Sequence, residues 1–240
     1  MPLLHALILG FVQGLTEFLP ISSSGHLAIV PWLFNWDDFG GNSSLENSFD
    51  VALHLGTLLG AIIYLRSDIA RYSKAAFQWF ASRGPLTGDA HTAVFIGVTA
   101  KPTGIIGLIV LSFTKDLGDR IWLVATCLIL FGLVLWQVDK KKTTKDVDQL
   151  TLRHAIFLGS MQGLAFQPGV SRSGVTISAF RLLGISRIEA AKLTFLMSLP
   201  VIAGAGLVKI FEVEIPSEWI PPFLIGMGAA AISGWLSIHW

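Results

Sequence analysis

The chain has 240 residues, of which 52% are hydrophobic and 14% charged, with a net charge of +1. An average soluble domain carries about a quarter charged residues, so the composition excludes an ordinary soluble globular protein and defines a polytopic α-helical membrane protein as a single domain over residues 1–240. Near-zero net charge gives no electrostatic case for a nucleic-acid partner, and one cysteine, Cys127, excludes an internal disulfide.

Residues 3–34 come first. They are apolar but broken by Pro20 and by Ser22, Ser23, Ser24 and Gly25. No basic segment precedes them, so a cleaved signal peptide is not expected. Irregular backbone at membrane depth survives only inside protein or beside a water-filled cavity, and the break predicts a re-entrant helical hairpin. Spanning helices follow at about 51–65 (starting as early as Phe49), 93–113 and 121–138. Each approaches the ~20 residues that cross a hydrocarbon core. Lys101-Pro102 predicts a kink in the second of them. Residues 154–184 form a second broken apolar segment, interrupted by Pro168, Gly169, Ser171, Ser173 and Gly174. Spans at 192–210 and 222–239 close the order.

The two broken segments are copies. A gapless shift of 149 places Leu3–Gly25 on Leu152–Gly174, with identities at Leu3/Leu152, His5/His154, Ala6/Ala155, Leu9/Leu158, Gly10/Gly159, Gln13/Gln162, Gly14/Gly163, Leu15/Leu164, Ser22/Ser171, Ser24/Ser173 and Gly25/Gly174. Repeat one covers about 1–138, a linker 139–153, and repeat two about 154–240. Loops 66–91 (Arg66, Arg71, Lys74, Arg83) and 139–153 (Lys140, Lys141, Lys142, Lys145, Arg153) are basic and read as cytoplasmic. Loops 35–50 (Asp37, Asp38, Glu46, Asp50) and 211–221 (Glu212, Glu214, Glu218) are acidic and read as external. The copies are then inverted, an arrangement that puts binding sites at the repeat interface. Repeat two lacks a counterpart of 121–138, an absence expected to leave Gly226, Gly228, Ala229 and Ala230 unpartnered. Trp32, Trp36, Trp122, Trp136, Trp219 and Trp240 fall near span ends and read as interfacial belt residues.

The copies diverge where chemistry could sit. Gln13 and Glu17 share a helix face four residues apart. An ionisable group in an apolar segment is a functional candidate by default, and Glu17 offers a divalent cation ligand or an acid/base. Ser22, Ser23 and Ser24 can cap a helix or, with free N–H groups, bind phosphate. His26 is the expected nucleophile or general base, with Ser23 the competing nucleophile. In the second copy Arg172 lies between Ser171 and Ser173, with Thr176 one turn on. A guanidinium matches phosphate oxygens bidentately. His54, inside a span, is a candidate for a functional or supporting role. His5 and His154 read as helix-end caps.

These motifs closely resemble the undecaprenyl-diphosphate phosphatase family, the bacitracin-resistance type of membrane phosphatase. Glu-Phe-Leu-Pro-Ile-Ser-Ser-Ser-Gly-His at 17–26 and Pro-Gly-Val-Ser-Arg-Ser-Gly-Val-Thr at 168–176 carry the resemblance, with further similarity at 49–57, 104–107 and 195–200. Gln13…Glu17 is the form here of the family's (Glu/Gln)-x-x-x-Glu motif. The resemblance implies hydrolysis of a C55 polyprenyl diphosphate to the monophosphate that carries cell-wall precursors. It also implies a multi-pass protein of the bacterial inner membrane with its site facing outside, and one more helix after the end of this chain. Glu17, Ser23, His26, Ser171, Arg172 and Thr176 match the family's site positions, with Gln13 as a lesser member. Mg²⁺ or Ca²⁺ as cofactor, indirect competition from bacitracin through sequestration of the lipid, and a homodimer are further expectations. A transporter or flippase of the same lipid is the alternative reading, since inverted repeats with broken helices suit that class equally.

Overall fold

The computed structural model describes residues 1–114, 120–210 and 215–239, all helix, turn and coil. Glu212, Glu214 and Trp240 lie outside the described residues. Among the described residues nine α-helices run in chain order: α1 (Leu3–Phe18), α2 (Ser23–Phe34), α3 (Ser43–Ser82), α4 (Gly88–Thr114), α5 (Ile121–Asp139), α6 (Leu152–Gly163), α7 (Arg172–Leu182), α8 (Arg187–Ile210) and α9 (Ile220–His239). Five of them, α3, α4, α5, α8 and α9, are long and apolar enough to cross a membrane.

Both broken segments are helix pairs. The shift of 149 carries α1 onto α6 with its 3-10 turn at 164–166, and α2 onto α7. The second helix of each pair starts the same way. Ser22 accepts the Gly25 N–H at 3.3 Å and Ser171 accepts the Gly174 N–H at 3.0 Å. These N-caps satisfy backbone donors that would otherwise be orphaned, and they account for the duplicated Ser and Gly positions.

The expected 51–65 span is only the middle of α3, which runs for 40 residues. Residues 43–50 and 66–82, expected as loop, are helical. Asn42 caps the start by accepting the Leu45 N–H at 3.1 Å, and the Arg, Lys, Ala and Gln of 66–82 are good helix formers with no Pro or Gly until Gly84-Pro85. α4 runs through Pro102 without interruption.

Each hairpin packs on a span of the other repeat. α1 lies against α9 and α6 against α4. The duplicated glycines make the approach close. A Cβ on Gly10 would meet the Gly226 carbonyl and Ala229, and a Cβ on Gly159 would meet the Thr99 carbonyl and Pro102. Gly14 is backed by Ser233, Gly234 and Ala230, and Gly163 by Ile106 and Thr103. Small residues that let helix backbones touch are the usual means of association in lipid. The expectation that Gly226, Ala229 and Ala230 lack partners is therefore wrong, because α1 and α3 cover them. Gly228, by contrast with Gly226, has nothing within 4 Å of its Cβ position.

Two cores result. One joins α1, α2, α3 and α9 through Ala6, Leu9, Leu27, Phe49, Leu53, Phe223 and Ala230. The other joins α4, α6, α7 and α8 through Phe95, Leu158, Ala179, Phe180, Leu193 and Met197. Under the 149 shift each core takes one hairpin, the helix after it and a span from the other repeat.

His5 is not a cap. Its Nδ1 donates to the Asp38 carboxylate (2.9 and 3.0 Å) and its ring stacks on Trp36 at 3.7 Å, tying the 35–42 loop to α1. His154 does cap, completing a reciprocal pair with Thr151 in which its Nδ1 accepts the Thr151 N–H at 3.0 Å. Trp32, Trp122 and Trp136 are exposed, as belt residues should be, whereas Trp36 and Trp219 pack against the first core. Arg181, which the sequence does not single out, is 3% exposed and donates to the carbonyls of Ile185, Asp139 and Lys141. It fastens the linker between the repeats to the end of α7.

Candidate active site

The site forms where the two breaks meet. α1 stops at Phe18 ahead of Pro20, and the chain turns through Ser22 with φ +67°, a left-handed conformation rare outside glycine. Strain of this kind tends to be held at functional sites by surrounding contacts. Glu17, in the last turn of α1, is 5% exposed. Arg172 opens α7. Its Nη2 pairs with Glu17 Oε1, so the two repeats exchange opposite charges across their interface. Glu17 Oε2 accepts from Ser23 Oγ and from Gln13 Nε2 at 3.0 Å. Ser173 Oγ donates to the Glu17 carbonyl at 2.7 Å. His54 Nε2 stands 3.6 Å from Glu17 Oε2, with its Nδ1 donating to the Asp50 carbonyl at 2.8 Å.

A cavity of about 250 Å³ opens on this cluster. Glu17, Ser22, Ser23, Ser24, His54, Gln162, Ser171 and Arg172 supply its polar wall, while Val51, Ala165, Phe166, Val170, Val201, Ile202, Ala205 and Gly206 supply an apolar one. Of the residues expected from sequence, His26, Thr176, Ser173 and Gln13 do not line the cavity. His26 donates from Nδ1 to the Ser22 carbonyl at 2.8 Å. Thr176 is fully buried with an unpartnered hydroxyl. Ser24, one of the three serines offered by the sequence for phosphate, lines it too. Gln162 and the α8 residues are not foreseen from sequence, and of these only Gln162 carries a sequence signal, as the duplicate of Gln13.

Arg172 is the telling residue. Its Nη1 is buried and has no partner, so the guanidinium spends one face on Glu17 and keeps donors on the other. Such a fork, at the N-terminus of a capped helix, is suited to phosphate oxygens. The same geometry does not suit a cation cage. Both Glu17 oxygens are engaged, and no group of three or more His, Cys, Asp or Glu side chains able to hold a metal occurs among the described residues. Ca²⁺ needs six to eight oxygen ligands, and Mg²⁺ binding sites supply carboxylates together with phosphate and water.

Fold and site together define an integral membrane protein with a Glu17–Arg172 pair on a cavity between two related helix pairs. The chain belongs to the family of the bacitracin resistance protein BacA, whose sequence profile matches residues 6–240. It is 41% identical to an undecaprenyl-diphosphatase of Geobacter metallireducens over 98% of this chain and 87% of that protein. Identity is 40% to one of Pelobacter propionicus (99% and 87%) and 40% to one of Saccharophagus degradans (100% and 88%).

Proposed function

We propose that this protein hydrolyses undecaprenyl diphosphate to undecaprenyl phosphate and inorganic phosphate. The observation that carries the reading is the Glu17–Arg172 pair with Ser23 on the carboxylate, set in a cavity with one polar and one apolar wall. Phosphoryl transfer is mostly positioning and charge neutralisation. Arg172 Nη1 and the free N–H groups at the start of α7 take the terminal phosphate, with the hydroxyls of Ser171 and Ser22 beside it. The prenyl chain leaves along Val51, Val201, Ile202 and Ala205. Ser173 and Thr176 sit behind this cradle, buried in α7.

Ser23 is the nucleophile we favour over His26, supported by its place on the cavity wall and its hydrogen bond to Glu17. A hydroxyl paired with a base is the arrangement that activates a nucleophile. As phosphate draws the guanidinium, Glu17 is released to take the Ser23 proton. His54 flanks this centre, 3.6 Å from the carboxylate, while His26 is held off the cavity on the Ser22 carbonyl, and Gln13 steadies Glu17. A Mg²⁺ or Ca²⁺ ion would have to arrive on the diphosphate oxygens, and no step is assigned to it.

The repeats we infer to be inverted, with re-entrant hairpins. The support is the loop charge asymmetry and the way each hairpin packs on the other repeat. The basic linker is then cytoplasmic and the site opens to the outside of the inner membrane. Bacitracin acts on the reaction only by sequestering its lipid, and a homodimer is the oligomer we propose. A transporter reading has no support beyond the broken helices. Inorganic phosphate released from undecaprenyl diphosphate in detergent, where no gradient exists, tests the reading: a transporter would release none.

A further inference from the structure

We propose that Gln162 positions the attacking water through its side-chain oxygen. The inference rests on the phosphatase reading above. Gln162 lies in α6, is 1% exposed, and lines the cavity. Its Oε1 is buried without a partner, although most buried polar atoms are hydrogen-bonded.

The orientation of the amide follows from its neighbour. Thr103 Oγ1 faces the carbonyls of Thr99 (2.8 Å) and Gly159 (2.9 Å), which only accept. A hydroxyl has one proton, so Thr103 can only accept from Gln162, at 3.2 Å. The atom facing Thr103 must be Nε2, and Oε1 is the atom left for the cavity. An isolated acceptor is poorly matched to an ionised phosphate, which has no proton to offer. Water is the guest that can donate to it. Gln13, the equivalent residue of repeat one, also has a buried Oε1 without a partner, but it does not line the cavity and its Nε2 serves Glu17, so only the Gln162 oxygen is placed to meet a water there.

The chemistry balances in two steps. Ser23 Oγ bonds to the terminal phosphorus, the bond to the lipid phosphate breaks with its electron pair going to that phosphate, and the Ser23 proton passes through Glu17 to the departing lipid phosphate. Water then bonds to phosphorus, the bond to Ser23 Oγ breaks with its electron pair returning to oxygen, and one water proton reaches Ser23 Oγ through Glu17. The other proton, donated meanwhile to Gln162 Oε1, stays on the inorganic phosphate. Thr103, acting through the amide, is a positioning residue.

The test uses the full chain in detergent with substrate labelled at its terminal phosphate, and adds thermal unfolding. Gln162→Met should lower kcat by about a hundred-fold, the scale for one oriented polar group at a reacting centre. KM should stay within about threefold, and Tm should hold or rise because an unpartnered acceptor is gone. Label should accumulate on the protein. Thr103→Val should lower kcat less, and the double variant should be no slower than Gln162→Met. A Gln162→Met enzyme with near wild-type kcat, while Arg172→Ala is inactive, overturns this inference and spares the phosphatase reading. Losses of kcat and Tm that move together and add with Thr103→Val also overturn it, as they mark a structural role. No release by the folded wild type instead overturns the phosphatase reading itself.

Discussion

Glu17 and Arg172 are 155 residues apart in sequence and form one ion pair across the interface of the two repeats. Each charge is supplied at a position where the other copy has an apolar or uncharged residue: Phe166 stands opposite Glu17, and Ser23 opposite Arg172, under the 149 shift. Duplication supplied the scaffold and divergence the charges.

The pair should be worth more to function than to folding. Removing one member of a buried pair strands the other and costs about 3–5 kcal/mol, whereas replacing both by apolar or neutral residues is often close to neutral. Arg172→Met should lower the unfolding temperature in detergent markedly. Glu17→Gln with Arg172→Met should regain most of that loss and remain inactive. The measurement is a thermal melt of both variants and the wild type beside a phosphate-release assay.

Ser23 and His26 should separate kinetically. Ser23→Ala should abolish turnover because it deletes the hydroxyl on Glu17. His26→Ala should retain measurable turnover, since its ring does not line the cavity and its Nδ1 is spent on the Ser22 carbonyl. Phosphate release by each variant decides this, and a dead His26→Ala beside an active Ser23→Ala would reverse the assignment.

Packing makes a sharper forecast than composition does. Gly14→Leu drives a side chain into Ser233 and the backbone of Gly234 and Ala230. Overpacking of this kind costs about 1–3 kcal/mol or prevents close approach altogether. Gly159→Leu should do the same at α4, while Gly228→Leu, with open space at its Cβ position, should leave the melt unchanged. Detergent-solubilised melting temperatures of the three variants provide the comparison.

Arg181 should be structural only. Its removal leaves the carbonyls of Asp139, Lys141 and Ile185 without their donor, at about 1–3 kcal/mol for each group left buried and unpaired. Arg181→Met should lower the melting temperature and leave KM for the lipid unchanged. A shifted KM with an unchanged melt would place Arg181 in the site instead.

Much of this could be read from the sequence. The repeat is visible because the Ser and Gly of each cap, and the glycines of each helix contact, answer to local backbone needs that cannot drift. The charged pair is visible because an Arg or Glu in an apolar run has few explanations. Other features follow from tertiary placement, which no local pattern encodes. His26 and His54 look alike in the sequence, yet only His54 lines the cavity. The span of α3 was underestimated because its polar ends read as loops, although their residues favour helix. Val201, Ile202 and Ala205 are ordinary helix residues until α8 packs beside the hairpins. Arg181 looks like one more basic residue at a helix end until three carbonyls converge on it.

The central claim is that Arg172 holds the terminal phosphate while Glu17 serves the nucleophile. Its most direct test is the rate of phosphate release from undecaprenyl diphosphate by the purified full chain and by Arg172→Lys, a variant that keeps the charge but loses the fork. The account predicts release by the wild type and a loss of at least about a hundred-fold in Arg172→Lys, the scale of losing one oriented donor to the reacting phosphate. Wild-type turnover by Arg172→Lys would contradict it.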